Sequence, residues 1–303
     1  MHIKTPLLRA APGLFPQPEV WLKMDALQPS GSFKLRGVGR LVAQAAADGA
    51  REIVCASGGN AGFAAAYAAQ QLGLAVTIVL PESSSEAVAA QIAARGATVL
   101  RQGAAFDEAN AFAQDLAAKR GAVYVHPFDH PLLWEGHASL IDEVLDEGLD
   151  FDVVITAVGG GGLYCGIVEG LRRRGLAHVP VVAVETLGAE SLHQSVAAGE
   201  LVTLPSIRSI AGSLGARRVA AQALAYAQTH PTLSLTVSDR DATQACARFA
   251  DAMRVMVEPA CGAALAVLSV HRDALLPFKK PLLEVCGGIA VSVDKLAEWK
   301  IET

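Results

Sequence analysis

The sequence predicts a parallel α/β fold, and two observations carry that prediction. Short runs rich in Val, Ile and Leu alternate with helix-period segments over most of the 303 residues. The runs are nearly continuous in apolar residues, as expected of strands covered on both faces. Composition agrees: 52% of residues are hydrophobic and 18% charged, enough to build a sizeable core and too apolar for disorder.

The elements read as follows. A strand over 52–56 precedes an Ala-rich helix over 61–72. The strand 75–80 is closed by Pro81. A helix over 86–95 leads to a short strand at 98–100. A helix over 106–120 is followed by the strand 123–125 and a loop around Pro127 and Pro131. The rhythm resumes with a strand at 152–158 and a helix at 163–174, then a strand at 181–185 and a helix at 191–200. A helix over 217–229, a strand over 233–237, helices over 242–256 and 260–270, a strand over 282–286 and a final helix complete the chain. Residues 38–130 hold a full four-strand set. They read as a small α/β domain inserted into a larger one built from 1–37 and 131–303.

Net charge is −5, with a pI near 5.9. The charges are dispersed, so neither a nucleic-acid nor a membrane partner is expected. The N-terminus carries no secretory pattern, and no apolar run reaches the roughly 18 residues that span a bilayer. Cys55, Cys165, Cys246, Cys261 and Cys286 are odd in number and widely spaced. Reduced, mostly buried thiols in a cytoplasmic protein are expected.

Chemistry starts at Ser30-Gly31-Ser32-Phe33-Lys34-Leu35-Arg36-Gly37. Ser32 is expected to cap a helix whose apolar face holds Leu35, Val38, Leu41 and Val42. Lys34 then sits in the first turn, where the helix field disfavours the ammonium and prepares an amine to attack a carbonyl. Gly159-Gly160-Gly161-Gly162 follow a strand and open a helix. Without Cβ atoms, their N–H groups can converge on a phosphate. Ser57-Gly58-Gly59-Asn60-Ala61-Gly62 repeat that geometry and suit a carboxylate. Glu185 ends a strand, where parallel sheets place ligands. His126, His130 and His137, with Asp129 and Glu135, match no zinc spacing and read as a loop bordering the site. His178 and His271 read as solvated.

Seven separated motifs carry a family resemblance: Gly31-Ser32-Phe33-Lys34-Leu35-Arg36-Gly37, Ser57-Gly58-Gly59-Asn60-Ala61-Gly62, Pro127-Phe128-Asp129, Trp134-Glu135-Gly136-His137, Gly159-Gly160-Gly161-Gly162-Leu163, Glu258-Pro259-Ala260-Cys261-Gly262-Ala263-Ala264 and Val285-Cys286-Gly287-Gly288. In this order they resemble the fold-type II (tryptophan synthase β-like) pyridoxal-phosphate enzymes, and within them the short L-serine dehydratases. The resemblance covers nearly the whole chain. It implies two parallel-sheet α/β domains with the active site between them, and a homodimer. Lys34 matches the lysine that bonds the cofactor aldehyde and then takes the α-proton. Phe33 matches the aromatic on the ring face. Ser57, Gly58, Gly59 and Asn60 match the substrate-carboxylate loop, with Asn60 also reaching the ring hydroxyl. Gly159, Gly160, Gly161 and Gly162 match the phosphate cradle.

Cys286 matches the residue facing the pyridine nitrogen, where a neutral thiol cannot hold that nitrogen protonated. Glu185, with carbonyls at Ala189 and Leu214 and the hydroxyl of Ser191, matches a monovalent-cation site, potassium for example. The implied reaction converts L-serine to pyruvate and ammonia, and L-threonine to 2-oxobutanoate, in amino-acid catabolism and gluconeogenesis. A serine racemase, a β-replacement enzyme or a non-catalytic amino-acid-binding homologue are the alternatives. Two departures stand out: Ala56 where many relatives carry a second serine, and Gly58 where an alanine is common. The missing methyl at Gly58 is expected to enlarge the pocket. The chain ends soon after Cys286, so a regulatory domain with isoleucine feedback is not expected.

Overall fold

The computed structural model describes residues 1–82, 84, 86–104 and 106–301. The chain opens with β1 (Leu7–Arg9) and β2 (Trp21–Lys23), followed by α1 (Lys34–Ala47). Next come β3 (Glu52–Cys55), α2 (Asn60–Leu72), β4 (Ala75–Leu80), α3 (Glu86–Ala93), β5 (Thr98–Arg101), α4 (Phe106–Arg120) and β6 (Val123–Val125). The chain continues through α5 (Pro131–Asp146), β7 (Val153–Ala157), α6 (Gly162–Arg173), β8 (Val181–Thr186), α7 (Ser191–Ala198), α8 (Ala221–Thr229) and β9 (Thr232–Val237). It closes with α9 (Asp239–Met253), α10 (Pro259–Val270), α11 (Arg272–Leu275), β10 (Pro281–Glu284) and α12 (Val293–Ile301).

Two sheets organise these elements. One has six strands in the order β1-β2-β10-β7-β8-β9, the other four in the order β5-β4-β3-β6. Every neighbouring pair is parallel except β1 with β2. The strands β7 and β8 are buried along their full length. Their largely apolar sequences record that double coverage, broken only by Thr156 in β7 and by Glu185 and Thr186 at the end of β8. On α2, the alanines at 61, 64, 65, 66, 68 and 69 are buried, and their small side chains let the helix lie close to its sheet. Gly73 ends that helix in the left-handed region, at φ +66°.

The sequence reading needs four corrections here. Ser32 does not cap α1: Phe33 holds that position with no side-chain cap bond, and the buried Ser32 hydroxyl has no partner among the described residues. Ser32 instead forms an isolated bridge with Gly287. The segment after Pro131 is a 16-residue helix, not a loop. Pro131 opens it at the first position, where a missing N–H costs nothing, and the Nδ1 of His130 accepts from Leu132 N. Glu135 and His137 therefore ride on α5. The strands β1 and β2, three residues each, carried no periodic signal and were not foreseen. His271 is not freely solvated, because its Nε2 lies 2.8 Å from the carbonyl of Thr236.

A buried ionic cluster ties α1 to its surroundings. Arg36 is wholly enclosed. Its Nε and Nη2 donate to Asp25 at 2.6 and 2.8 Å, and its Nη1 and Nη2 donate to Glu143 on α5 at 2.7 and 2.8 Å. Lys23 Nζ, also enclosed, completes the group at 2.7 Å from both Thr5 O and Glu143 Oε2. The helices meet closely around this cluster: a Cβ on Gly136 would stand 2.4 Å from Arg36 O. Removing one partner of a buried pair strands the other charge. Arg36→Met is therefore expected to destabilise the fold by about 3–5 kcal/mol. A urea titration reads this, and a loss under about 1 kcal/mol would show that the cluster is not holding α1.

Candidate active site

The carboxyl ends of the two sheets face a common cavity of about 400 Å³. Loops at those ends supply its polar wall, as is general for α/β sheets, which take ligands outside the carboxyl ends of their strands. From the four-stranded sheet come Ser57, Gly59, Asn60 and Ala61, while Gly159, Gly160, Gly161 and Gly162 come from the other. Lys34, Phe33 and Cys286 stand on the same wall. The motifs found far apart in sequence thus meet in one place.

Lys34 is the first residue of α1. Its Nζ donates to the carbonyl of Pro127 at 2.6 Å and lies 5.0 Å from the Phe33 ring centre. The cavity walls keep bulk water away, and this burial lowers its pKa to about 8; Cys55, Cys286 and Glu258 oppose the fall. A substantial share of neutral amine is therefore present near neutrality. Phe33 is braced from behind by the ring of buried His137, 5.0 Å away.

The glycine run forms a cradle at the N-terminus of α6. Gly161 holds the cap position at φ +89°. Among the described residues, none accepts from the backbone N–H groups of Gly159, Gly160, Gly161 or Gly162. Side chains are excluded sterically: a Cβ on Gly160 would lie 2.2 Å from the Phe128 ring, and one on Gly162 2.5 Å from Phe128 O. Four free donors at a helix N-terminus suit a phosphate.

The second Gly-rich turn is also as expected. Ser57 Oγ accepts from Gly59 N at 3.2 Å, and Gly59 precedes α2. Gly58 differs from expectation. It is not on the cavity wall, and its missing Cβ would face Leu80 and Val88 at 3.2 and 3.6 Å. The absent methyl frees space behind the loop and does not widen the cavity. Cys286 lies just past β10, with its thiol beside that of Cys261. That contact and burial hold its pKa well above the ordinary thiol value. All five cysteines are free and buried.

Glu185 is no surface carboxylate. It is fully buried on β8, and its two oxygens accept from Leu192 N at 2.9 Å and His193 N at 2.7 Å in the first turn of α7. Burial pushes its pKa up to about 8 against those bonds. Ala189 and Ser191 are buried in the same turn, and the Ser191 hydroxyl has no partner among the described residues. Leu214 lines the cavity. No group of three or more His, Cys, Asp and Glu able to hold a metal occurs among the described residues. His126 instead uses Nδ1 to accept from Phe128 N and Asp129 N, which shapes the turn carrying Pro127.

Three contributors escaped the sequence reading. Phe128 fills the back of the cradle. The carbonyl of Pro127 receives Lys34. Glu258 lines the cavity and is 2% exposed. Phe128 and Glu258 lie in motifs already singled out, but nothing in those motifs tells which way a side chain turns.

A lysine of lowered pKa, an aromatic wall and a phosphate cradle in one cavity define a site for a phosphorylated aromatic aldehyde, bonded through its carbonyl. The comparisons agree. Residues 1–287 match the family model described as pyridoxal-phosphate dependent enzyme, and the chain belongs to that family. It is 49% identical to a rat serine dehydratase-like protein, over 99% of this chain and 94% of the relative. It is 44% identical to the human L-serine dehydratase/L-threonine deaminase, over 99% and 95%. A fungal L-serine ammonia-lyase from Rhizomucor miehei superposes with a TM-score of 0.92 at 35% identity, covering 99% of this chain and 98% of that one. The fold is thus that of the fold-type II enzymes, with two parallel-sheet units around the site.

Uptake of pyridoxal phosphate by cofactor-free protein is expected to accelerate with pH through about 8 and then level off, because only the neutral amine attacks the aldehyde. Stopped-flow absorbance gives the profile. A rate still rising toward 10.5, the ordinary lysine value, would mean that the cavity does not tune Lys34.

Proposed function

We propose that this chain is a pyridoxal-phosphate-dependent L-serine dehydratase, an ammonia-lyase that converts L-serine to pyruvate and ammonia and also accepts L-threonine. The observation that carries this reading is the junction of Lys34 with two anion-binding turns in one cavity, in a chain 44% identical to a dehydratase of these two amino acids.

Bound pyridoxal phosphate supplies the electron sink for charge developing at Cα. The chain's residues do the rest. Gly159, Gly160, Gly161 and Gly162 hold the phosphate with their N–H groups. Phe33 would cover one ring face, and Cys286 would face the ring nitrogen as a neutral thiol. Ser57, Gly59 and Asn60 would bind the substrate carboxylate, with Gly58 shaping the turn behind them, and Asn60 would also reach the ring hydroxyl. That grip turns Cα–H toward Lys34, whose neutral amine takes the proton. The β-hydroxyl takes up a proton and leaves as water, which balances the α-proton removed, and the released enamine then consumes one water as it hydrolyses to the keto acid and ammonia.

We assign residues 1–37 and 131–303 to a large domain and 38–130 to a small one. All strands of the four-stranded sheet fall within the second range. The boundary runs inside α1, so that helix is shared. Homodimer formation, a cytoplasmic location and a role in amino-acid catabolism and gluconeogenesis complete the proposal. A small-molecule substrate alone fits a chain in which no described helix is long and apolar enough to cross a membrane.

We also propose a monovalent cation, potassium for example, held by Glu185, the carbonyls of Ala189 and Leu214, and the Ser191 hydroxyl. A carboxylate this deeply buried gains from a neighbouring positive charge, and the unpartnered Ser191 oxygen supplies a further donor atom.

Keto-acid release from L-serine by cofactor-loaded protein, run beside Lys34→Ala, tests the main reading. Release lost by more than about a thousandfold in the mutant is expected. Intact, loaded wild-type protein that yields D-serine or no product would defeat it. Replacing potassium by tetramethylammonium is expected to lower kcat by roughly tenfold, about 1.4 kcal/mol. Unchanged turnover would remove the cation from the proposal.

A further inference from the structure

Glu258 occupies the N-cap position of α10, where an acidic side chain ordinarily bonds its own helix. It makes no such bond. Its carboxylate turns to the cavity instead. Oε1 accepts from Asn60 Nδ2 at 2.8 Å, and Oε2 accepts from Ala290 N at 3.0 Å. Asn60 Nδ2 also donates to Ser213 Oγ at 3.4 Å. The other end of the Asn60 amide is also held: its Oδ1 accepts from Ile289 N at 3.0 Å. These partners fix the amide's orientation: the Ile289 N–H can only donate, so Oδ1 faces it and Nδ2 is left to face the carboxyl oxygen of Glu258.

The space for this arrangement is purpose-shaped. Gly288 has φ +118°, and a Cβ there would stand 1.9 Å from the Glu258 carboxyl carbon. Glu258 and Asn60 are 2% and 6% exposed, so water cannot easily replace either bond.

The two partners belong to different sheets. Asn60 opens α2, which packs on the four-stranded sheet, and ends the turn that carries Ser57 and Gly59. Glu258 and residues 289–290 flank β10 and α10 of the six-stranded sheet. The bond therefore ties the carboxylate-binding turn to the start of α10, on the side of the six-stranded sheet. That turn is itself stiff: Ser57 Oγ accepts from Gly59 N, and a Cβ on Gly62 would meet Ser57 O at 1.9 Å. Holding Asn60 holds the whole turn.

We propose that Glu258 is a positioning residue for the reaction. It acts through Asn60 to set the carboxylate-binding turn at its working distance from Lys34 and the phosphate cradle. This rests on the reading of those turns given under Proposed function. A glutamine would present an N–H to either Asn60 Nδ2 or Ala290 N, so two acceptor oxygens and not only shape are required.

A double-mutant cycle on the full-length protein tests it, with Glu258→Ala and Asn60→Ala read by the Kd of pyridoxal phosphate (fluorescence titration) and by the KM of L-serine. Glu258→Ala alone is expected to raise both by about tenfold. In the Asn60→Ala background the same change is expected to add less than about twofold. Glu258→Gln is expected to fall between wild type and alanine, and it replaces alanine in the cycle should that variant not fold. Wild-type values in Glu258→Ala, or an effect undiminished in the Asn60→Ala background, would overturn the inference. Wild-type protein that binds no pyridoxal phosphate would instead defeat the reading of the site.

Discussion

Arg36 is enclosed between Asp25 and Glu143, two residues along the chain from Lys34. A guanidinium with no exposure needs both carboxylates in place, and each grips it through two hydrogen bonds. This fixes the first turn of α1 against the loop after β2 and against α5. Lys34 projects from that same turn. Its amine can stay poised at Pro127 O only because the backbone beneath it cannot rotate away. The cluster matters less as a source of stability than as a clamp on one residue's direction, because buried charges repay their desolvation poorly in energy but are strict in geometry.

From that fixed point the site is built twice over by one device. A parallel strand ends, glycines follow, and a helix begins with its N–H groups bare. It occurs after β7 for the phosphate and after β3 for the carboxylate. The devices differ where the ligands differ. The first turn is four glycines backed by Phe128, which leaves room for a tetrahedral group. The second adds Ser57 and Asn60, whose side chains also tie the turn to itself and to the opposite sheet. On the reading proposed above, cofactor and substrate anions would sit on separate sheets, with Lys34 lining the cavity between them.

Much of this was legible in sequence. The strands of both sheets that follow 52 and the helices between them show apolar runs or helix periods. The glycines and Lys34 announce themselves because their backbone or chemistry is unusual for their positions. What failed had physical reasons. Pro127 and Pro131 look like loop residues, yet Pro131 merely opens α5, so the helix behind it went unseen. A three-residue strand such as β2 has no period to detect; its partner β10 defines it. Ser32 stands where a cap belongs but is spent on a bridge to Gly287. Glu185 reads as a strand end, and Glu258 only as the first residue of a motif. Burial and direction, set by the tertiary fold, make one a ligand for α7 and the other a partner of Asn60.

The titratable groups around Lys34 share a tendency that bears on reaction type. Burial lowers the amine and pushes Cys55 up to about 12, opposed in part by Lys34. The same burial, with Lys34 and His130 adding to it, brings His126 down to about 4. Cys286 is held up by Cys261 as well as by burial. Each moves toward its neutral form. A cavity so arranged offers a base that is uncharged when needed, and a weak donor where a ring nitrogen would lie. A protonated ring would stabilise negative charge at Cα for long enough to be reprotonated there. An unprotonated one stabilises it less, so the charge is relieved sooner by expelling a β-substituent. On the proposed reading, a Cys286 thiol held neutral at the ring nitrogen would therefore favour elimination over the slower alternatives open to the same lysine.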